Sequence, residues 1–489
     1  MTTETPRLDW DQFARLGADI AAWGAEYHRT LSSRPVRAPL VPGQVAGTFP
    51  LAPPEDGEGI DGILADLDDK VVPGLTHWQH PRFFAYFPAN ATPPSMLADF
   101  VAAILAQQGM LWQTSPAGTE IETRMMDWLR QGLGLPETFQ GVIQDSASGA
   151  TLAAILVMRE RALDWAGNRQ GLPGQARIRI YASDEVHTSV DRAIWIAGIG
   201  AENLVRIPTR GPLRAMDPDA LRAQIAADRA AGYLPAGIVA CVGGTGTGAC
   251  DDLTQVLAIA RDEGLYSHVD AAWAGAAMIC PEFRDLWAGI EGADSLVLNP
   301  HKWMGVQFDF SAHFLRDPEP LVRTLAIQPE YLKTHGKDGF VNYSEWSVPL
   351  GRRFRALKLW FVLKAYGLNG LRAVMRDHVR WSQALAEDLR ADPRFEIVTE
   401  PVLSLFTFGL KGADDAAMID YVTRVNDDGR IYVTQGRTGG RIVVRFQVGT
   451  FACREEDVRL AGAVLKELAE VGLPPRTSRL RGFPPLRNP

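Results

Sequence analysis

An acid and a lysine that stand just past two buried strands are the residues in this chain best suited to chemistry. LYSHVD (265–270) ends in Asp270, ahead of Ala271-Ala272-Trp273, and SLVLN (295–299) ends in Asn299, ahead of Pro300-His301-Lys302-Trp303. A lysine amine can form a Schiff base with an aldehyde cofactor. An acid can keep a pyridine nitrogen protonated and so make the ring an electron sink. Taken alone, the pair also fits a lysine that is merely solvated. A third strand end, RIRIYA (177–182), runs into Ser183-Asp184-Glu185-Val186-His187. His187 precedes an apolar helix, as a satisfied structural histidine or as an imidazole stacked on a planar cofactor.

IQDSASGA (143–150) sets small hydroxylic residues and a glycine directly before apolar helical text. Such a helix start offers free N–H groups and a positive dipole end, which suits a phosphate; Ser148 could equally be a plain N-cap. GGTGTGA (243–249) looks like a dinucleotide loop, but its glycines at 244, 246 and 248 break the G-x-G-x-x-G spacing. A turn that lets backbone approach a cofactor is the better use of them. His77 and His80 have helical spacing, but Pro81 follows and no acid or thiol is near, so no metal is expected. HPRFFAYFP (80–88) is dense in aromatics, as core or as the lining of a pocket for a flat side chain. QPEYLKTHGKDGF (328–340) reads as an exposed, movable loop, with Tyr331 as a surface anchor or as a proton donor on a lid.

These residues need a scaffold that brings strand ends together. The runs 177–182, 237–242, 265–270, 295–299 and 311–315 read as buried strands, with helical text such as LTQVLAIARDEG (253–264) between some of them. That alternation predicts an α/β fold with a mostly parallel sheet covered on both faces. Ligands in such sheets bind beyond the carboxyl ends of the strands. Thr119-Glu120-Ile121-Glu122 has the form of a capping box opening a helix. From near residue 370 a smaller α+β domain is expected, with helices over 382–391 and 455–471 and strands VLSLFTF (402–408) and RIVVRFQ (441–447). At the other end come a helix over 9–32, a Pro-rich stretch over 35–54 and a short helix over 60–70. That segment buries little by itself and is expected to lie across the next domain or a partner subunit.

Bulk properties narrow the classes. The chain has 489 residues, 46% of them hydrophobic and 22% charged, the balance of a globular protein. Fifty basic against fifty-eight acidic residues give a net charge of −8, so no nucleic-acid partner is expected. The longest apolar stretch, Ala271–Cys280, is half a membrane span, and no membrane association is expected. No secretory signal is visible, and Cys241, Cys250, Cys280 and Cys453 are too scattered for a disulfide framework. A cytoplasmic protein is the expectation.

Taken together, PGLTHWQHPRFFAYFP (73–88), SPAGTEIETRMMDWL (115–129), GVIQDSASGATL (141–152), HVDAAWAGAAMICPEFR (268–284), NPHKWMGVQFD (299–309) and PLGRRFRALKLWFV (349–362) closely resemble the pyridoxal-phosphate-dependent group II decarboxylases, within them the aromatic-L-amino-acid decarboxylases. The resemblance covers almost the whole chain, and it implies a fold and a site. The fold would be type I (aspartate-aminotransferase-like): a large domain over 86–370 around a seven-stranded sheet, a small domain over 371–489, and an N-terminal segment over 1–85 wrapping the partner of a homodimer. Lys302 would hold pyridoxal phosphate, Asp270 would pair with its ring nitrogen, and His187 and Ala272 would face its two sides. Ser146, Ala147, Ser148, His301 and Asn299 would hold the phosphate, with Thr245 nearby. Tyr331 would deliver a proton to the substrate Cα. Trp78, Tyr86, Phe87 and Pro88 would line the substrate pocket, with Gln108, Met110 and Gly351.

The resemblance also implies the reaction: an amino acid would lose CO₂ to give an arylalkylamine. Ala89, Gln108, Met110, Trp273 and Ser344 depart from the animal pattern, where Thr, Ile, Phe, Tyr and Arg stand. These departures touch the substrate pocket, and with Gly351 they lean the expectation toward tryptophan or phenylalanine/tyrosine. The rivals are an aldehyde synthase, disfavoured because Tyr331 and His187 are both present, a decarboxylase of acidic amino acids, a nucleotide-dependent reductase and an inactive binding protein.

Overall fold

The computed structural model describes residues 9–56, 60, 62–327 and 341–470. Seven strands form the large sheet: β1 (Gln140–Gln144), β2 (Ile178–Ser183), β3 (Leu204–Ile207), β6 (Leu234–Cys241), β7 (Tyr266–Asp270), β8 (Ser295–Leu298) and β9 (Ser311–Leu315), with a short hairpin β4–β5 (Thr209–Arg210 and Ala215–Met216) beside it. Their order is β1-β9-β8-β7-β6-β2-β3, and β9 alone runs against the rest. All five strands expected from the apolar runs are present. They carry β-branched and small residues on both faces because helices cover both sides, so neither face needs polar alternation.

Register places the chemistry. Cys241 pairs with Asp270, and Asp270 with Val297, so the carboxyl ends of β6, β7 and β8 open at one edge. The helix Ala147–Ala162 crosses the sheet from the end of β1 and is buried along most of its length. One large cluster fills the interior around Trp273, Trp303, Phe310 and Phe314.

The small domain is a four-stranded antiparallel sheet in the order β10-β11-β13-β12, from β10 (Phe395–Val402), β11 (Leu405–Leu410), β12 (Thr434–Thr438) and β13 (Arg441–Gln447). Its helices are Asp415–Asp428 and Glu455–Glu470. The stretch 402–408, expected as one strand, turns at Leu403, whose φ of +52° ends β10 and starts β11 as a tight hairpin. The helix expected over 382–391 is the tail of Ala356–Arg390, a 35-residue element broken at Gly367 (φ 61°, ψ 174°).

The capping box at Thr119 is not used. The helix starts earlier, at Pro116 after Ser115. Glu122 is instead buried, accepting from Ile143 N at 2.9 Å and from Arg352 Nη2 at 2.6 Å. A tertiary ion pair has taken the side chain that local geometry would have turned back on the helix end. After the helix Trp10–Thr30, the N-terminal segment leans on the small domain: Val36 N donates to Gly429 O, and Phe83 bridges to Tyr432. His77 and His80 are engaged locally, by Tyr27 Oη at 2.8 Å and by Arg82 N at 3.0 Å.

Candidate active site

A cavity of about 270 Å³ opens at the carboxyl edge of the sheet. Its lining brings together Ser146, Ala147, Ser148, His187, Thr245, Asp270, Ala272, Asn299, His301 and Lys302, which the sequence scatters over 157 positions from 146 to 302.

At one end lies a helix start. Ser146, not Ser148, is the N-cap of Ala147–Ala162: its Oγ accepts from Gly149 N at 3.1 Å. Ser148 sits in the first turn and faces the cavity. The first-turn N–H groups have no partner within the helix, so this end favours an anion. Two side chains add donors. Phe310 N donates to His301 Nδ1 at 2.9 Å, which places the imidazole proton on Nε2. Burial next to Lys302 pushes the pKa of His301 down to about 3, so it acts as a neutral donor. Ser311 Oγ donates to Asn299 Oδ1 at 2.6 Å, which leaves the amide nitrogen as the end able to donate to a ligand.

At the other end stands Asp270, 7% exposed, with Oδ1 accepting from Ala272 N at 3.0 Å. His187 is at the open side. Ser189 N donates to its Nδ1 at 3.1 Å, so Nε2 carries the proton. Desolvation lowers its pKa, with Asp270 opposing and Lys302 reinforcing that shift. Lys302 follows β8 on the four-residue turn of helix Pro300–Trp303. Desolvation brings its amine down to about 8, against the pull of Asp270 and with help from Arg445. A lysine that loses its proton this easily is a ready nucleophile toward a carbonyl.

The floor beside Lys302 is aromatic. Phe87 stacks on Trp273 at 4.8 Å and 20°, and Lys302 Nζ lies 4.9 Å from the Phe87 ring centre. The glycines of 243–249 do what a close approach requires. Gly243 has φ +85°, and a Cβ there would meet Ala274 Cβ at 2.4 Å. Thr245 thereby reaches the cavity, and Thr247 Oγ1 donates to Glu185 Oε2 at 2.7 Å, tying this turn to the segment before His187.

Several expected residues stand elsewhere. Trp78, Tyr86 and Pro88 do not line this cavity; Phe87 does. Trp78 and Tyr86 stack on each other at 5.6 Å and are 40% and 50% exposed. Tyr86 faces an adjoining cavity of about 450 Å³ together with Thr245, Tyr432 and Arg445. Gln108, Met110 and Gly351 are also absent from the lining and form a group of their own. Arg352 N donates to Gln108 Oε1 at 2.7 Å, a Cβ on Gly351 would lie 3.3 Å from Gln108 Nε2, and Ser344 N donates to Met110 O. Tyr331 lies outside the described residues.

Sequence reasoning overlooked Arg445, Phe308 and Cys241. Phe308 and Cys241 line the cavity, and Arg445 lies 4.4 Å above the Phe87 ring. The available signal was an arginine inside the apolar strand RIVVRFQ, whose burial only tertiary structure reveals.

The residues fit pyridoxal phosphate: an amine for its aldehyde, an acid for its ring nitrogen, His187 and Ala272 in the same lining, and a donor-rich helix start for its phosphate. Fold and site together define a fold type I pyridoxal-phosphate enzyme. The family described as the pyridoxal-dependent decarboxylase conserved domain matches residues 42–411, and the chain belongs to it. The enzyme is thus a pyridoxal-phosphate-dependent carboxy-lyase. Aromatic-L-amino-acid decarboxylase of Mus musculus is 40% identical over 476 residues, covering 94% of this chain and 98% of the mouse protein. Phenylacetaldehyde synthase of Arabidopsis thaliana is 35% identical over 477 residues, covering 94% and 96%. The crystal structure of Oryza sativa TDC with PLP and tryptamine superposes with a TM-score of 0.92 at 33% identity, covering 95% of this chain and 99% of that one.

Proposed function

We propose that this enzyme decarboxylates an aromatic L-amino acid of the tryptophan, phenylalanine, tyrosine or dopa class to the arylalkylamine and CO₂. The observation that carries the reading is the Phe87–Trp273 stack beside Lys302, in a cavity that also holds Asp270. A flat apolar wall next to the anchoring amine favours a flat side chain. The mouse, rice and Arabidopsis relatives, whose names denote aromatic substrates or products, support it.

Each residue then has a task. Lys302 would hold the cofactor through its amine. Asp270 keeps a proton on the pyridine nitrogen. His187 and Ala272 would confine the ring, with Thr245 in the same lining. The helix start at Ser146, Ala147 and Ser148, with His301 and Asn299, holds the phosphate. When bound, pyridoxal phosphate supplies a protonated ring that accepts the electron pair left by departing CO₂. Phe87 would help to hold the substrate in the orientation that loss of its carboxylate requires. Tyr331 is assigned the proton donor to Cα through the resemblance alone.

Gln108, Met110 and Gly351 are grouped away from their own cavity, which supports a homodimer in which they complete the partner's substrate pocket. Buried, unpaired Cys241, Cys250, Cys280 and Cys453 suit a cytoplasmic setting. The second reading, an aldehyde synthase, is prompted by the Arabidopsis relative. Offering Trp, Phe, Tyr, dopa, His and Glu separately, with amine, aldehyde and peroxide quantified, decides between them. Amine without peroxide from an aromatic substrate is expected. Stoichiometric aldehyde and peroxide, or turnover confined to Glu or His, would overturn the proposal.

A further inference from the structure

Among the described residues, Arg445 combines deep burial with an unpartnered guanidinium nitrogen. It sits on β13 of the small domain, 4% exposed, yet none of the described residues places a carboxylate within ion-pair reach of it. Its Nη2 is buried with no hydrogen-bond partner among the described residues. A buried cation left uncompensated is costly, and an apolar side chain on this strand would avoid that cost.

Its other contacts show what the cost sustains. Arg445 Nε donates to Thr245 O at 2.7 Å, and Nη1 donates to Tyr86 O. The guanidinium lies 4.4 Å above the Phe87 ring, which also stacks on Trp273. Tyr86 has φ +46°, a left-handed backbone that a tyrosine rarely adopts, and its carbonyl is the one that Arg445 holds. That turn delivers Phe87 to the cavity while Tyr86 stays outside. Only a planar fork can bind two carbonyls from separate segments and also stack on a ring.

We propose that Arg445 is a positioning residue for this reaction: from the small domain it clamps Phe87 against Trp273 and pins the Thr245 turn, holding two walls of the cofactor cavity in register with Lys302. The inference rests on the reading of Lys302 as the cofactor's anchor. It also has an electrostatic corollary, because Arg445 adds positive charge near an amine that Asp270, His187 and His301 also face.

The test uses full-length holoenzyme with Arg445→Met, Arg445→Lys and Phe87→Leu. Two quantities are read: KM against kcat for the best aromatic substrate, and the pH midpoint of the bound cofactor's visible absorbance. Arg445→Met should raise KM roughly tenfold or more, because misplaced walls lose orientation, and should move the midpoint to higher pH. Arg445→Lys should restore the midpoint but not KM, since an ammonium cannot grip both carbonyls and stack. Phe87→Leu should raise KM and leave the midpoint in place. Wild-type KM in Arg445→Lys, or a midpoint unmoved in Arg445→Met, overturns the proposal. If Arg445→Met does not fold, Arg445→Lys and Phe87→Leu still decide it through KM. A wild-type protein that takes up no cofactor would instead overturn the reading of Lys302.

Discussion

Trp303, the residue after Lys302, donates its indole N–H to His378 Nδ1 at 2.9 Å, with both side chains fully buried. The bond runs from the turn that carries the reactive amine to the long helix Ala356–Arg390. His378→Leu would leave the indole N–H orphaned, at a cost of about 1–3 kcal/mol. Urea denaturation should show that loss together with weaker cofactor retention. Retention equal to wild type would mean that the bond does not steady Lys302.

Lys302→Ala should abolish the visible absorbance of bound cofactor and lower CO₂ release by more than about a thousandfold, since it removes the nucleophile and the anchor together. Asp270→Asn should keep cofactor bound but lower kcat by about 10²–10³-fold, the range seen when one preorganised electrostatic partner is removed. Single-turnover CO₂ release separates the two variants. Equal residual rates would deny Asp270 a role distinct from that of Lys302.

Gly243→Ala should lower both stability and cofactor affinity. Its φ of +85° disfavours any side chain, and the added Cβ would meet Ala274 Cβ at 2.4 Å. A cost of more than about 1 kcal/mol is expected. Equilibrium dialysis against pyridoxal phosphate checks it: unchanged affinity would show that the turn bearing Thr245 tolerates displacement.

The protein should lose stability as pH falls below about 6.5. Burial pushes His80, His301, His313 and His378 down to about 3 in the folded state. Between those values the unfolded chain binds the protons and the folded one does not, so the stabilisation present above pH 6.5 drains away toward pH 3. Each histidine contributes a slope of at most about 1.4 kcal/mol per pH unit. His313 is the cleanest probe, because both ring nitrogens lack partners among the described residues. His313→Phe should flatten the fall in melting temperature between pH 7.5 and 5. An unchanged slope would show that His313 takes up its proton as readily in the folded protein as in the unfolded chain.

The buried pair Glu122–Arg352 closes at 2.6 Å, with 5% and 4% exposure. Glu122→Gln should cost about 3–5 kcal/mol by stranding a buried guanidinium. Glu122→Leu combined with Arg352→Met should recover much of that loss. Because Arg352 N also holds Gln108, the single variant should shift substrate preference as well, which product analysis would detect.

Most of the residues that line the cavity were legible in the string, while Cys241, Phe308 and the Arg445 that lies over Phe87 were not. Asp270, Lys302, His187 and the Ser146 helix start each follow a buried strand, and strand ends of a parallel sheet converge whatever the loops do. Local patterns could place a residue at the end of an element, and those ends meet at one edge. Local patterns misled where tertiary partners competed: Glu122 left its capping box for Arg352, and 402–408 bent at Leu403. They were silent on who stands beside whom across domains. Arg445 reaches the Tyr86 carbonyl across 359 positions of sequence, a contact that no periodicity encodes. Of the aromatic run 80–88, it was the left-handed turn at Tyr86 that sent Phe87 inward and left Trp78 and Tyr86 outside. The chemistry follows from residue types at element ends, which are short-range. The shape of the pocket follows from long-range packing, which exists only once the two domains close on each other.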